Sequence, residues 1–211
     1  MQDLLSAINL YCEEHSTLSD PILPEIERAT NLRTLSPRML SGHIQGGFLS
    51  MISILKQPEF ILEIGTFTGY SAICLAKGLS PNGKLITLEY DEENAQIASE
   101  FFSKSIWKDK IELLTGDAKK IIPTITILFD LVFIDADKEG YSEYFDLVID
   151  KCKPGAVIIA DNVLWSGKVL DKNMDTKTTL IDEFNKKITS DVRVENVILP
   201  IRDGINLIRK I

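Results

Sequence analysis

The chain has three cysteines and two histidines, too few and too scattered to staple a small fold or cage a soft metal. Cys12, Cys74 and Cys152 are odd in number, form no Cys-x-x-Cys pair, and stand in no zinc spacing with His15 or His43. A disulfide framework and a zinc site are therefore not expected. Long hydrophobic runs are missing as well; the longest are strand-sized, so no segment is expected to span a membrane. There is no Lys/Arg block of the kind that grips phosphate backbones, and the net charge is −8 from 23 basic and 31 acidic residues. Nucleic acid is thereby excluded as an expected partner. The opening MQDLLSAINLYCEEHSTL lacks a basic leader and a small-residue cleavage site, which predicts no secretory signal and a cytoplasmic location. Repeats, low-complexity tracts and long linkers are also absent.

What remains is a soluble, globular composition, 45% hydrophobic and 26% charged, over 211 residues. One domain covering residues 1–211 is expected. The part up to about Lys56 reads as helices. Leu4, Ile8, Tyr11 and His15 fall at helical spacing on one face. Ser36 followed by Pro37 resembles an N-cap and first helical position, opening a helix that carries Met39, Ile44, Phe48, Leu49 and Ile52.

From Pro58 the pattern changes. Short apolar runs, FILEIG, KLITLEY, IELLTG, FDLVFIDAD and GAVIIADN, alternate with amphipathic stretches, and VENVILP and INLIRKI close the chain. The first five are nearly continuous hydrophobics, which suits strands covered on both faces. Helices are expected at Ser71 to Leu79, Glu93 to Lys104, near Ile121, Tyr141 to Lys151 and Thr178 to Ser190. This alternation predicts a doubly wound α/β fold with seven strands, mostly parallel. Only Pro200 to Gly204 separates the last two strands, too little for a helical crossover, so they are expected to form an antiparallel hairpin at one edge.

The first strand runs into Glu63-Ile64-Gly65-Thr66-Phe67-Thr68-Gly69-Tyr70-Ser71. Two glycines in a strand-to-helix turn let backbone N–H groups approach a ligand closely. The Gly-x-x-x-Gly spacing is not the Gly-x-Gly-x-x-Gly of a pyrophosphate cradle. Glu63 points the same way, because a carboxylate there repels phosphate and can accept a hydrogen bond from an ammonium group. Glu89 ends the second strand, where an acid can bind both hydroxyls of a ribose. Together these features fit the adenosine, ribose and amino-acid ends of S-adenosylmethionine.

The fourth strand ends in Asp135-Ala136-Asp137-Lys138 and the fifth in Asp161-Asn162. Ligands of open α/β sheets sit outside the carboxyl ends of the strands. Apolar runs thus deliver Asp135, Asp161 and Asn162 to that rim, where uncompensated carboxylates are costly and a cation relieves the cost. All-oxygen donors favour a hard ion, Mg²⁺ first, with Mn²⁺ or Ca²⁺ as alternatives. Such an ion would leave positions open for two adjacent substrate oxygens and lower the pKa of a bound phenol. Lys138, three residues beyond Asp135, is a candidate general base because a nearby cation makes its ammonium easier to deprotonate. The competing reading makes each carboxylate a helix N-cap.

LEIGTFTGYSA, the strand ending in Glu89, FIDADK, ADNVLWSG and LPIRDGINLIRK together resemble the caffeoyl-coenzyme A and catechol O-methyltransferase family, with five motifs in order from about Ser36 to the end. The resemblance implies the class I, Rossmann-like methyltransferase sheet with its reversed terminal strand. It places Met39 and Ser41 against the methionine part of the cofactor, and Glu63, Gly65, Thr66 and Ser71 around its amino-acid end. It puts Glu89 on the ribose and Ala118 beside the adenine. Asp135, Asp161 and Asn162 match metal ligands, with Asp135 also near the cofactor. Lys138 matches the catalytic base and Trp165 an aromatic wall of the substrate pocket. Family members are commonly homodimers, and residues 1 to about 56 would serve as interface or lid.

One departure matters. Plant members carry arginines and tyrosines after the Trp loop that are thought to hold a coenzyme A tail. Here KVLDKNMDTKTTLIDEF has neither, which favours a free catechol, hydroxycinnamate or polyphenol as the small-molecule partner. The expected function is metal-dependent methyl transfer from S-adenosylmethionine to a phenolic hydroxyl. A nicotinamide-dependent oxidoreductase and a non-catalytic S-adenosylmethionine-binding protein are the alternatives.

Overall fold

The computed structural model describes residues 2–17 and 20–211. Seven strands form one sheet in the order β3-β2-β1-β4-β5-β7-β6. They are β1 Phe60–Ile64, β2 Lys84–Glu89, β3 Ile111–Thr115, β4 Phe129–Ile134, β5 Cys152–Asp161, β6 Val194–Leu199 and β7 Ile205–Lys210. The β1–β2, β1–β4, β2–β3 and β4–β5 pairs are parallel. β7 lies antiparallel to both β5 and β6, giving the expected hairpin and a single reversed strand.

Alternation along each strand explains the two layers. Leu62, Ile64, Val132, Ile134, Ile158 and Ala160 face one core, packed by α6 Ala118–Ile121, α7 Tyr141–Ile149 and α8 Thr176–Ser190. Ile61, Leu131, Phe133 and Ile159 face the other, with α2 Leu23–Arg33, α3 Gly42–Lys56, α4 Tyr70–Ala76 and α5 Glu92–Lys104. Each fully buried aliphatic or aromatic side chain contributes roughly 1.5–3 kcal/mol. Among the described residues no helix is long and apolar enough to cross a membrane.

Two expectations need correcting. IELLTG is not covered on both faces: β3 is the sheet's edge, and none of its residues is fully buried. Pro37 does not open the long helix. It starts a 3-10 turn, Pro37–Met39, and Ser36 makes no side-chain cap. Leu40 then goes extended (ψ 135°) to bury its side chain, and α3 begins only at Gly42. Met39 consequently sits on a turn and not on a helix. In α1 Gln2–Glu14, Leu4, Ile8, Leu10 and Tyr11 are exposed. Tyr11 stacks on His15 at 3.9 Å.

Candidate active site

Strand order reverses between β1 and β4, so the two chains leave the sheet in opposite directions and open a crevice at their carboxyl ends. Gly65 begins the turn after β1 with φ 99°, a conformation that favours glycine. A Cβ there would stand 2.1 Å from the Asp135 carbonyl oxygen. The turn is that close to the end of β4 because the Asp135 N–H donates to the Ile64 carbonyl at 2.9 Å. Gly65→Ala is therefore expected to push the two loops apart and lower the thermal midpoint by several degrees, readable by differential scanning calorimetry.

Glu63 is fully buried and faces Thr87 across the β1–β2 register. The Thr87 hydroxyl donates to Glu63 Oε2 at 2.5 Å and in turn accepts from Thr66 at 2.5 Å. Among the described residues Glu63 Oε1 has no hydrogen-bond partner. Burial pushes this carboxyl up to about 8; the neighbouring Ser71 and Thr87 hydroxyls offset that only in part, and the Asp135 and Glu89 charges add to it. A buried carboxyl with an unused oxygen is what an incoming ammonium group would satisfy. Glu89 holds the turn from the other side, accepting from the Phe67 N–H at 2.6 Å and from the Asp91 N–H at 3.0 Å. Each oxygen keeps a second lone pair for a diol. Burial raises the Glu89 carboxyl as well.

The β4–β5 register pairs Ile134 with Ala160, so the next residues, Asp135 and Asp161, stand side by side at the rim. Neither caps a helix. The caps are elsewhere, at Asp91, Asp117 and Asp175, each accepting from a backbone N–H in the first turn of its helix. Asp161 is buried, and its two oxygens accept from Gln45 Nε2 at 2.6 Å and from the Asn162 N–H at 2.8 Å. Burial, and then the Asp135 charge, push its carboxyl upward. Asn162 is left-handed (φ 56°), and among the described residues its side-chain amide makes no hydrogen bond. Two like charges forced together beside a free amide form a donor set that suits a hard cation. Among the described residues no group of three or more His, Cys, Asp or Glu side chains is placed to hold a metal ion; the expected set has two carboxylates and one amide.

Lys138 reaches back to Asp135 Oδ1 at 3.1 Å and to the Tyr141 hydroxyl at 2.5 Å. Tyr141 is fully buried, and its hydroxyl lies 2.9 Å from the Asp161 carbonyl and 3.2 Å from the Ile134 carbonyl. This one hydroxyl thus joins the ends of β4 and β5 and seats the lysine. Sequence reasoning missed it, although its position three residues after Lys138, at the start of α7, carried the signal. Tyr141→Phe should loosen Lys138 and lower kcat about tenfold or more with little change in KM, measured by steady-state kinetics on any accepted substrate.

Trp165 lies on a kinked segment with Ser166 and Gly167, all left-handed (φ 48°, 54° and 78°). The Ser166 N–H donates to the Asp203 carboxylate, and the Leu164 N–H donates to the Asp203 carbonyl at 2.9 Å. The Trp loop is therefore stitched to the β6–β7 turn. Ser41 is buried just before α3, Ala118 is buried at the head of α6, and Met39 is 61% exposed. Gln45, bonded to Asp161, and Arg202, bonded to Gln45, were not expected from the sequence.

The family model described as O-methyltransferase matches residues 13–211. The chain belongs to this O-methyltransferase family. A curated relative, the catechol O-methyltransferase of Niastella koreensis, is 39% identical over 160 residues, covering 74% of this chain and 72% of the relative. Caffeoyl-CoA O-methyltransferase 1 of Eucalyptus globulus is 34% identical over 185 residues, covering 82% and 75%. The crystal structure of the O-methyltransferase from Bacillus cereus in complex with SAH is 32% identical with a TM-score of 0.89, each chain 97% covered. Seven-stranded architecture and family membership together place this O-methyltransferase chain in the class I fold and leave the nicotinamide oxidoreductase alternative without support.

Proposed function

We propose that the protein transfers a methyl group from S-adenosylmethionine to one hydroxyl of a small vicinal diphenol, with a divalent cation, Mg²⁺ first, at the β4–β5 rim. The observation that supports this reading is the β4–β5 register, which brings Asp135 and Asp161 to neighbouring strand ends with Asn162 next in the chain, near a Glu63 oxygen that has no partner among the described residues. Relatives named for catechol and caffeoyl-CoA methylation, and a neighbour solved with SAH, support it.

The residues divide the work. Glu63 receives the ammonium group of the cofactor, Glu89 its ribose diol, and Thr66 and Ser71 line the turn between them. Met39, Ser41 and Ala118 complete the cofactor's surroundings. Asp135, Asp161 and Asn162 would hold the cation, which supplies a lowered phenol pKa and a fixed direction of attack. Lys138 takes the phenol proton at Nζ, held in place by the Tyr141 hydroxyl. Trp165 walls the acceptor. Orientation supplies most of the rate, because the sulfonium is already activated. The exposed apolar residues of α1 support a homodimer face within residues 1 to about 56, and the whole chain acts as one cytoplasmic catalytic domain.

Labelled S-adenosylmethionine, Mg²⁺ and a panel of catechols, hydroxycinnamates and other vicinal diphenols test this directly. A monomethylated product that disappears in excess EDTA is expected. Cofactor-induced stabilisation with no product from any diphenol would favour a non-catalytic binding role.

A further inference from the structure

Asp161 is gripped from a part of the chain far from its own strand. Gln45, on α3, is buried to 1% exposure and donates from Nε2 to Asp161 Oδ2 at 2.6 Å. Its other amide atom, Oε1, accepts from Arg202 Nη1 at 3.0 Å. The same Nη1 donates to the Leu40 carbonyl at 2.9 Å, the residue where the chain goes extended before α3. Arg202 itself sits in the β6–β7 turn with φ 51°, a left-handed conformation unusual for a residue with a side chain.

The chemistry of these groups fixes more than a contact. A primary amide can be turned by half a rotation, exchanging its donor and acceptor ends at little intrinsic cost. A guanidinium offers only N–H groups, so the end of Gln45 that faces Arg202 must be the oxygen. The nitrogen is thereby committed to Asp161, whose other oxygen takes the Asn162 N–H at 2.8 Å. These donors leave each carboxylate oxygen a second lone pair. Without the guanidinium, the Gln45 oxygen loses its donor, the amide is held from one end only, and its grip on the Asp161 carboxylate slackens.

We propose that Arg202 is a positioning residue that acts through the Gln45 amide to hold Asp161 in its ion-ligating orientation. This rests on the cation-dependent reading above. A plain latch between the β6–β7 turn and the N-terminal segment needs only the bond to Leu40; the second N–H, spent on a buried amide that touches Asp161, is what a latch does not explain. Partners of this kind typically alter metal affinity by about 10–100-fold when removed.

The test is Mn²⁺ binding, followed by electron paramagnetic resonance on the purified full chain, with circular dichroism and S-adenosylmethionine affinity as checks on folding. Arg202→Met and Gln45→Leu should each weaken Mn²⁺ binding about tenfold or more. The double variant should be no weaker than Gln45→Leu alone, because the arginine works through the amide. Arg202→Lys, which restores a donor-only group, should recover most of the affinity. If Gln45→Leu does not fold, the Arg202→Met and Arg202→Lys pair decides, since Arg202 lies on an exposed turn. Arg202→Met binding within twofold of the wild type, or a double variant showing the product of the two single losses, would overturn the relay while leaving the cation site intact. Wild-type protein that binds no Mn²⁺ would bring down the cation reading and this inference together.

Discussion

Asp161→Ala is expected to lower methyl transfer by about a thousandfold or more while S-adenosylmethionine affinity changes by less than about threefold. The asymmetry follows from position. Asp161 ends β5, bonded to Gln45 and Asn162 and beside Asp135, whereas Glu63, Thr66 and Glu89, the groups proposed to hold the cofactor, lie on β1, its turn and the end of β2. Removing Asp161 strips the rim of one of two adjoining carboxylates but touches none of Glu63, Thr66 or Glu89. Turnover with saturating cofactor and calorimetric titration of S-adenosylmethionine, run on the same preparation, separate the two effects. Equal losses in both would mean that the acid supports cofactor binding and not the acceptor side.

Glu63→Gln should do the reverse, and with a signature in pH. The amide keeps the shape but cannot pair with an ammonium, so S-adenosylmethionine affinity should fall about a hundredfold, the loss of a charge-assisted hydrogen bond in a buried site. The cofactor-free protein, however, should become more stable at high pH. Burial raises the Glu63 carboxyl from an ordinary 4.5 to about 8 in the folded state. A raised acid keeps its full contribution to stability below the unfolded value and loses it as pH climbs toward the folded one, because the unfolded chain releases the proton first. Wild-type stability should therefore drop between about pH 4.5 and pH 8 relative to Glu63→Gln, by at most about 5 kcal/mol. Urea unfolding of both proteins across that range checks it. Parallel stability curves would show that Glu63 does not ionise against its surroundings in the way the buried, unpaired Oε1 requires.

How far the sequence spoke depended on whether the signal was local. Strand–helix alternation located all seven strands, and the short Pro200-to-Gly204 link foretold the reversed hairpin, since too few residues leave no other connection. Glu63, Glu89, Asp135 and Asp161 were legible because each follows or ends an apolar run, and open α/β sheets use that edge. IELLTG misled because apolar composition does not tell an edge strand from a central one. Ser36-Pro37 misled because the local start signal was real but short: burying Leu40 in extended form breaks the helix after a single turn. Tyr141 was within reach of a closer reading, at helical spacing from Lys138. Gln45 and Arg202 were not, because their bonds join residues 116 and 157 positions apart and exist only once the chain has folded.

Anomalous diffraction from crystals soaked with Mn²⁺ tests the centre of this account most directly. The prediction is a single strong peak at about 2 Å from oxygens of Asp135, Asp161 and the Asn162 amide, beside the turn that carries Gly65. A peak lodged elsewhere, or no peak with the Asp135 and Asp161 carboxylates turned apart, would contradict it.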